Sequence, residues 1–330
     1  MFWKYVLSVH KGMIMRPSVV KMTTAFIICF LTSSVLCHAQ KNGDETPPQP
    51  ERVVKKTNDN VNLVFTYYGG TKGKESVPVI LLHDLDGNRK DYTAFAAYLQ
   101  KSYGCAVIVP DLRGHGESTQ TVTNVTIDRS KFRKQDYLTF NEDISTCFRY
   151  LRDEVNNKGN ANIDQLCLIA TGYLGINATA WTLEDYSYQP VGGKKQGQFV
   201  KGLVLISPRK SIKGFGITTL IKLPLFTGKG AKPLPMMLAI GEGNDRSYRD
   251  GLAIYKSLER TRPKVADIPD VAEYFKKQSI FLRDYPESAG AGLLLPNSGN
   301  NLGVEIAKFI RYKIVAKSDQ MPWVNYQKSE

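Results

Sequence analysis

The sequence is poor in histidine. His10, His38, His83 and His115 are the only four in 330 residues, and none follows position 115. Histidine is the side chain that most often serves as a general base in enzymes. Any site that draws its base from the chain after residue 115 therefore has no imidazole. This excludes a hydrolytic site whose histidine comes from the C-terminal part of the chain.

Cysteine is also scarce. Only Cys105, Cys147 and Cys167 follow the first forty residues. An odd number of cysteines in an exported chain argues against a disulfide framework. Two of the three stand in strand-like runs and the third on the apolar face of a helical pattern, which predicts buried free thiols. A cysteine nucleophile would still need a histidine partner, and none is well placed.

Acidic residues are missing from the N-terminal segment, which resembles a secretory signal. Residues 1–39 carry four basic side chains and no acid, followed by an apolar stretch and by Cys37 and Ala39 at positions −3 and −1 of a cleavage site before Gln40. The apolar core is shorter than the roughly 20 residues of a membrane span. We predict a secreted or periplasmic protein with a signal peptide at 1–39. An uncleaved N-terminal membrane anchor is the alternative.

A second acid-free stretch runs from 186 to 241. The formal net charge of +13 falls to +9 without the four basic residues of the signal, and nine basic residues in this stretch account for that remainder. They are Lys194, Lys195, Lys201, Arg209, Lys210, Lys213, Lys222, Lys229 and Lys232. The stretch indicates either a solvated basic face or a surface for an anionic small molecule, lipid or glycan, with peripheral association to the cell envelope. No nucleic-acid motif accompanies it, and the sequence indicates no cofactor.

Buried strand patterns alternate with amphipathic helix patterns from residue 61 onward. Continuous apolar runs such as 77–82 and 166–170 are typical of strands buried on both faces of a parallel sheet. The alternation predicts an α/β fold with a mostly parallel central sheet and helices on both faces. We assign 40–58 to a polar linker, 59–318 to one domain with a lid at 208–235, and 319–330 to a tail.

Two segments resemble the α/β-hydrolase superfamily. His-Asp-Leu-Asp-Gly-Asn at 83–88 is similar to the family's His-Gly-x-x-Gly-Asn, which helps to build the oxyanion hole. Pro-Asp-Leu-Arg-Gly-His-Gly-Glu-Ser at 110–118 is similar to Pro-Asp-x-Arg-Gly-His-Gly-x-Ser. With the order of elements, 61–315 is identified as a member of that superfamily, most similar to its monoacylglycerol-lipase and serine-aminopeptidase branch. The resemblance implies an α/β-hydrolase fold and a Ser, Asp and His triad in that chain order.

The nucleophile that the resemblance implies is missing. The family places it at the turn after the strand 166–170, in a Gly-x-Ser-x-Gly context. In one register Gly172 stands at that position, and in a register shifted by one residue Tyr173 does. Neither is a nucleophile of the required kind, although glycine relieves the strain of such a turn. Thr171, which precedes the turn, is the remaining alternative.

The other two triad positions are altered as well. Gly-Glu-Gly-Asn-Asp at 241–245 resembles the family's Gly-x-x-Asp, so Asp245 is the candidate vestigial acid, or else a cap for the helix that follows. The family's histidine lies in a loop after the last strand, where this chain has Ala289. Loss of nucleophile and base together removes the covalent and proton-transfer steps.

Asp84 and Asp86 stand where the resemblance places glycines of the oxyanion region. A carboxylate near a developing oxyanion opposes it electrostatically. With Asn88 the two aspartates hint at calcium ligands, but glycine is absent from the sixth position and the bidentate acid is missing, so we predict no metal. His83 and His115 lie in framework motifs and are expected to make structural hydrogen bonds. A pairing of Asp111 with His115 is the one alternative that would support non-standard chemistry.

The sequence thus predicts a secreted pseudohydrolase. We expect a pocket near Gly172, with His83, Asp84 and Tyr173 in its oxyanion region, that binds an anionic or acyl ligand without turnover. Two other classes stay open. One is an active esterase, lipase or peptidase with a non-standard nucleophile, and the other is a structural or interaction protein of the cell envelope.

Overall fold

The computed structural model describes residues 46–230, 232–263, 265, 268–295 and 299–327. The predicted signal peptide at 1–39 lies outside these residues. Within them, none of the helices is long and apolar enough to cross a membrane.

The strands of the central sheet are β1 Glu51–Lys56, β2 Asn62–Tyr68, β3 Pro78–Leu82, β4 Ala106–Asp111, β5 Leu166–Thr171, β6 Val200–Ile206, β9 Met236–Gly241 and β10 Ile280–Tyr285, with a separate two-stranded pair β7 Ser211–Ile212 and β8 Phe215–Gly216. Within the described residues, the eight strands of the sheet lie in the spatial order β1-β2-β4-β3-β5-β6-β9-β10. In the described sheet, β2 runs antiparallel to both of its neighbours, β1 and β4, and the pairs from β4 to β10 are parallel. The predicted mostly parallel α/β sheet is confirmed.

Helices cover both faces of the sheet, as the continuous apolar strands require. Every residue of β3, β4, β5 and β9 is buried. The described helices are α1 Thr93–Tyr103, α2 Lys134–Leu138, α3 Phe140–Tyr150, α4 Leu174–Ser187, α5 Ile217–Leu220, α6 Pro224–Thr227, α7 Asp245–Glu259, α8 Val271–Lys277 and α9 Leu302–Lys313. Helices α3, α4 and α7 pack on one face of the sheet and α1, α8 and α9 on the other.

The predicted linker and tail both take part in the folded domain. β1 lies inside the segment assigned to a linker at 40–58, and it pairs along its whole length with β2. The sequence of β1 does not show a strand pattern, because Val53 is its one buried residue and most of its neighbours are charged. The strand forms through its pairing with β2 rather than through its own apolar pattern. In the predicted tail at 319–330, Trp323 and Tyr326 hydrogen-bond to residues before β5. The domain therefore extends beyond the predicted limits of 59–318.

The segment predicted as a lid packs into the core. Residues 208–235 contain β7, β8, α5 and α6, and Ile217 and Phe226 are fully buried against the main core. Regularly spaced apolar side chains between the lysines explain this packing, because they require burial. The described part of this segment contributes only Arg209 to the cavity discussed below.

The three described cysteines are free and buried, as predicted from their apolar surroundings. Burial raises the pKa of each thiol above its ordinary value. The thiolate is the reactive form, so this environment leaves them inert. They contribute packing rather than chemistry.

Candidate functional site

A cavity of about 650 Å³ lies at the edge of the sheet where the parallel strands end. The loops after five strands meet there, as parallel topology dictates for the C-terminal edge of a sheet. Among its lining residues are Asp84, Asp86, Asp91, Tyr92, Thr171, Tyr173, Ser207, Arg209, Asn244, Ser247 and Ala289. The sequence-predicted positions Asp84, Tyr173 and Ala289 are thus brought together.

Gly172 forms the sharp turn between β5 and α4. Its φ is 59°, in the left-handed region, and its N–H donates to the Ile206 carbonyl at 2.9 Å. Tyr173 has an ordinary helical backbone with φ −66°. The left-handed residue marks the strained turn of a nucleophile elbow, so the geometry favours the register with Gly172 at the nucleophile position.

The side chain of Asp84 occupies the space beside this turn. A Cβ added to Gly172 would lie 1.7 Å from Asp84 Oδ2 and 2.0 Å from Asp84 Cγ. Asp84 Oδ1 accepts hydrogen bonds from the Tyr173 N–H at 2.9 Å and the Leu85 N–H at 2.8 Å. In this fold the oxyanion hole consists of the N–H after the nucleophile and an N–H from the loop after the first parallel strand. Asp84 therefore fills the nucleophile's place and occupies both donors.

The electrostatics of Asp84 reflect a partly buried carboxylate held by backbone donors. Burial raises its pKa, while the two N–H groups and the nearby Arg209 act in the opposite direction and Asp86 adds to the rise. The Arg209 guanidinium lies 4.6 Å from the centre of the Tyr173 ring and pairs with Asp250 at 3.2 Å. The guanidinium of Arg209, which is the arginine among the described residues that line the cavity, is thus already balanced by the Asp250 carboxylate.

Asn244, and not Asp245, faces the cavity. Asp245 is the first residue of α7 and is exposed, outside the cavity lining. Asn244 caps the helix by accepting from the Ser247 N–H at 3.0 Å. The structure therefore does not bring the predicted acid to the site. Counting Gly-x-x from Gly241 puts Asn244 in the place of the acid, a one-residue difference that the helix cap reveals.

Ala289 lies in the loop that follows β10 and lines the cavity. The loop is tied to its surroundings by the Gly290 N–H, which donates to Ser207 Oγ at 2.8 Å, and by the Ser288 carbonyl, which accepts from the Gly243 N–H at 3.0 Å. A Cβ on Gly290 would lie 3.7 Å from Thr171 Cγ2, so the loop reaches the end of β5. The loop therefore holds position 289 beside the turn at Gly172, but the methyl side chain of Ala289 cannot act as a base.

His83 and His115 make the structural hydrogen bonds expected of them. His83 Nε2 accepts from the Leu112 N–H at 3.0 Å, which leaves its Nδ1–H to donate to the Asp84 carbonyl at 2.6 Å. This arrangement requires a neutral ring, and burial lowers the pKa of His83 to about 4. His115 places its two ring nitrogens 3.0 Å and 2.8 Å from the carbonyl oxygens of Arg113 and Leu85. Neither ring lines the cavity.

The alternative pairing of Asp111 with His115 is not formed. Asp111 accepts from the N–H groups of Arg89 and Glu117 at 2.9 Å and 2.8 Å, and it forms an ion pair with the buried Arg89 guanidinium. All these partners stabilise the segment after β4. The interpretation of Asp111 as part of a catalytic pair is wrong.

The cavity is lined by Thr171, which the sequence offers as an alternative nucleophile, and by Ser207, which the sequence analysis does not identify. Thr171 Oγ1 accepts from the buried Tyr92 hydroxyl at 2.8 Å, and Ser207, with φ 46°, lies just after β6. A serine–proline pair directly after a buried strand was the available signal for Ser207. Both hydroxyls are engaged by neighbouring donors.

Asn88, the last residue of the segment 83–88, caps the turn that follows it. Asn88 Oδ1 accepts from the Lys90 N–H at 3.0 Å, and Asp91 Oδ2 accepts from the Asn88 N–H at 2.9 Å. This reciprocal capping stabilises the 3₁₀ turn that leads into α1. Within the described residues, no group of three His, Cys, Asp or Glu side chains is placed to hold a metal ion.

Solved structures with a similar architecture include esterases and a dienelactone hydrolase. An esterase from Pyrococcus furiosus matches with a TM-score of 0.52 and 14% identity over 81% of this chain and 92% of its own. A dienelactone hydrolase from Anabaena variabilis matches with a TM-score of 0.54 and 13% identity over 81% and 99%. An arylesterase matches with a TM-score of 0.53 and 14% identity over 82% and 87%.

The chain has the α/β-hydrolase fold, as the sequence predicted. At these identities the similarity establishes the fold alone. No protein-family model and no curated protein matches the sequence. The assignment to the monoacylglycerol-lipase and serine-aminopeptidase branch stays a prediction.

Proposed function

We propose that this chain is an exported pseudohydrolase. It has the α/β-hydrolase fold, does not transfer acyl groups, and holds a ligand in the cavity at the C-terminal edge of the sheet without turnover. The signal-like pattern at 1–39 supports export.

The observation that carries this proposal is the position of Asp84. Its carboxylate accepts from both N–H groups that an oxyanion would need, and it occupies the space that a side chain at Gly172 would require. Preorganised donors at the oxyanion are commonly the largest single contribution to acyl transfer. A fixed carboxylate in that position repels a developing negative charge and excludes the substrate carbonyl.

The remaining triad positions supply neither a nucleophile nor an imidazole base. Gly172 stands at the nucleophile position, Asn244 stands at the acid position, and Ala289 stands at the histidine position. Both described imidazoles, those of His83 and His115, are bound to backbone groups away from the cavity. Loss of a nucleophile and base in triad enzymes lowers turnover by about a million-fold.

The ligand that suits this cavity is a neutral acyl group rather than an anion. Asp84, Asp86 and Asp91 contribute three carboxylates to the lining, against the guanidinium of Arg209, which is paired with Asp250. An anionic ligand would meet a net negative wall. Tyr92 and Tyr173 supply apolar ring surface for an acyl chain.

The competing proposal is an active hydrolase with a non-standard nucleophile. Ser207 favours it, because its hydroxyl lies in the cavity on a left-handed backbone of the kind that marks strained functional residues. Ser207 Oγ accepts from the Gly290 N–H, however, and neither described imidazole lines the cavity to act as its base.

Hydrolysis of p-nitrophenyl acetate and butyrate by the purified chain tests the proposal. We expect the native protein to match a heat-denatured sample. Turnover above that control, abolished by Ser207→Ala or Thr171→Val, would overturn the proposal and establish the competing one.

A reconstructed variant serves as the positive control. It combines Asp84→Gly, Gly172→Ser, Asn244→Asp and Ala289→His, so that the oxyanion donors are freed as the triad is restored. We expect ester turnover on the order of 100-fold above the native chain, the lower end of what general acid–base catalysis contributes. The same variant with Asp84 retained should stay inactive, because the serine side chain and the Asp84 carboxylate would compete for one space.

A further inference from the structure

A second, larger cavity of about 910 Å³ lies at the opposite edge of the sheet, where β5 and β6 begin. Three segments form it: residues that precede β5, residues 193–201 at the start of β6, and residues 320–327 near the C-terminus. It is separate from the site described above, since the two cavities have no lining residue in common.

The C-terminal segment forms a fixed wall of this cavity. Asn156 Nδ2 donates to the Val324 carbonyl and Asn162 Nδ2 to the Met321 carbonyl, each at 2.8 Å. The Tyr326 ring packs edge-on against the buried Phe199 ring, with the ring centres 5.4 Å apart. This wall therefore presents aromatic and aliphatic surface to the interior.

The facing wall is basic. Arg152, Lys194, Lys195 and Lys201 line the cavity, against the carboxylates Asp153 and Asp164. Both carboxylates are already engaged. The Arg152 guanidinium binds both oxygens of Asp153, at 2.6 Å and 3.0 Å, while Asp164 pairs with Lys195 and accepts from the Tyr326 hydroxyl at 2.6 Å.

Lys201 is a partly buried cation of this wall. Its Nζ donates to the Gln198 carbonyl, and within the described residues it forms no salt bridge. Burial and the neighbouring Lys195 lower its pKa to about 8, although Asp164 and Asp185 act in the opposite direction. The folded chain therefore keeps a partly buried ammonium beside a cavity with an apolar wall.

We propose that this cavity binds a small organic anion, a carboxylate, sulfonate or phosphate joined to an apolar group. The anionic group pairs with Lys201 and Lys195, and the apolar group packs on Phe199 and Tyr326. The acid-free stretch at 186–241 thus supplies an anion site at the start of β6 rather than one continuous basic face, because Arg209 and Lys210, beyond the end of β6, pair with Asp250.

Isothermal titration with octanoate tests the proposal on the full chain. Octanamide, of equal length and without charge, should bind at least tenfold more weakly, and inorganic phosphate, without the apolar group, should also bind more weakly. Equal affinity for octanoate and octanamide would overturn the charged half of the proposal. Equal affinity for octanoate and phosphate would overturn the apolar half.

Substitutions locate the site. Lys201→Met should weaken octanoate binding at least tenfold, while Lys201→Arg should retain it. Lys222→Met is the matched control, since Lys222 belongs to the same acid-free stretch, is exposed, and lies outside the cavity. Unchanged binding by a folded Lys201→Met variant, or equal losses in both lysine variants, would overturn the assignment.

Proton uptake gives an independent readout. An anion beside Lys201 favours the ammonium form, so it raises the lowered pKa and binding at pH 8 should take up protons. Titrations in two buffers of different ionisation enthalpy measure this uptake. The uptake should disappear in Lys201→Met. Octanoate binding without proton uptake in the native chain would contradict the role of Lys201.

Discussion

The loop after β4 and the turn after β5 lie at the same edge of one sheet and have opposite characters. After β4, the segment 110–118 keeps two of its charged groups in buried ion pairs, Asp111 with Arg89 and Arg113 with the fully buried Asp143. After β5, the elbow keeps its left-handed backbone at Gly172 but has no nucleophile, and Asp84 binds where an oxyanion would.

The difference shows which part of the fold depends on its side chains for stability. Removing one partner of a buried ion pair leaves an uncompensated charge, so residues after β4 cannot change singly. Removing a nucleophile leaves no such charge, so the elbow can lose its chemistry while the sheet retains its packing. Asp84 adds to the stability of the turn, since it accepts hydrogen bonds from the Leu85 and Tyr173 N–H groups, which would otherwise have no oxyanion to bind.

The largest effect is expected at the buried ion pair between Arg113 and Asp143. Asp143→Ala removes the carboxylate that accepts three hydrogen bonds from Arg113, at 2.7–2.9 Å. We expect the free energy of unfolding to fall by about 3–5 kcal/mol. Urea denaturation measures it. Asp153→Ala, which breaks an exposed pair with Arg152, is the control and should cost about 1 kcal/mol or less. Similar losses in both variants would contradict the contrast.

The decrease in the free energy of unfolding at low pH should come largely from His83. Its pKa is lowered to about 4 in the folded chain, chiefly by burial, whereas the unfolded chain has the ordinary value of 6.5. The unfolded state binds the proton first, so stability is complete above pH 6.5 and declines as pH falls towards 4, by about 3 kcal/mol in total. Denaturation at pH 7 and pH 4.5 measures the decline. It should be smaller in His83→Gln, and an equal decline in both proteins would argue against this source.

A smaller effect should distinguish the contribution of the Asp84 side chain from that of the left-handed backbone at Gly172. Gly172→Ala should cost the left-handed penalty of about 1–2 kcal/mol plus the expulsion of the Asp84 carboxylate. In an Asp84→Gly background only the first cost remains, so we expect a coupling energy of about 2 kcal/mol. Gly290→Ala is the matched control, because Gly290 has φ 57° but ample space for a Cβ. Its cost should be the same in both backgrounds, and zero coupling at 172 would contradict the role of Asp84.

Much of the fold could be predicted from apolar runs and from two motifs. The buried strands at 77–82 and 166–170 and the segment 110–118 were sufficient for the sheet and its family resemblance, since burial on both faces leaves a continuous apolar signature. The resemblance that these motifs support, applied to the order of strands, indicated Gly172 and Ala289, which lie at the turn after β5 and in the loop after β10.

The rest depends on contacts that no local pattern encodes. Asp84 was recognised as out of place, but its hydrogen bond to the Tyr173 N–H joins residues 89 positions apart. The acid expected at 241–245 was assigned to Asp245, whereas the structure has Asn244 in the cavity lining and as the cap of α7. The second cavity needs the C-terminal segment to return to the start of β5, a packing between distant residues that periodicity does not reveal.

The most direct test of the central claim is intact-mass measurement after treatment with an alkyl fluorophosphonate, which labels activated serine nucleophiles whatever their substrate. We expect no mass increase in the native chain and one adduct, at position 172, in the variant that combines Asp84→Gly, Gly172→Ser, Asn244→Asp and Ala289→His. A stoichiometric adduct on the native chain, at Ser207 or Thr171, would contradict the pseudohydrolase proposal.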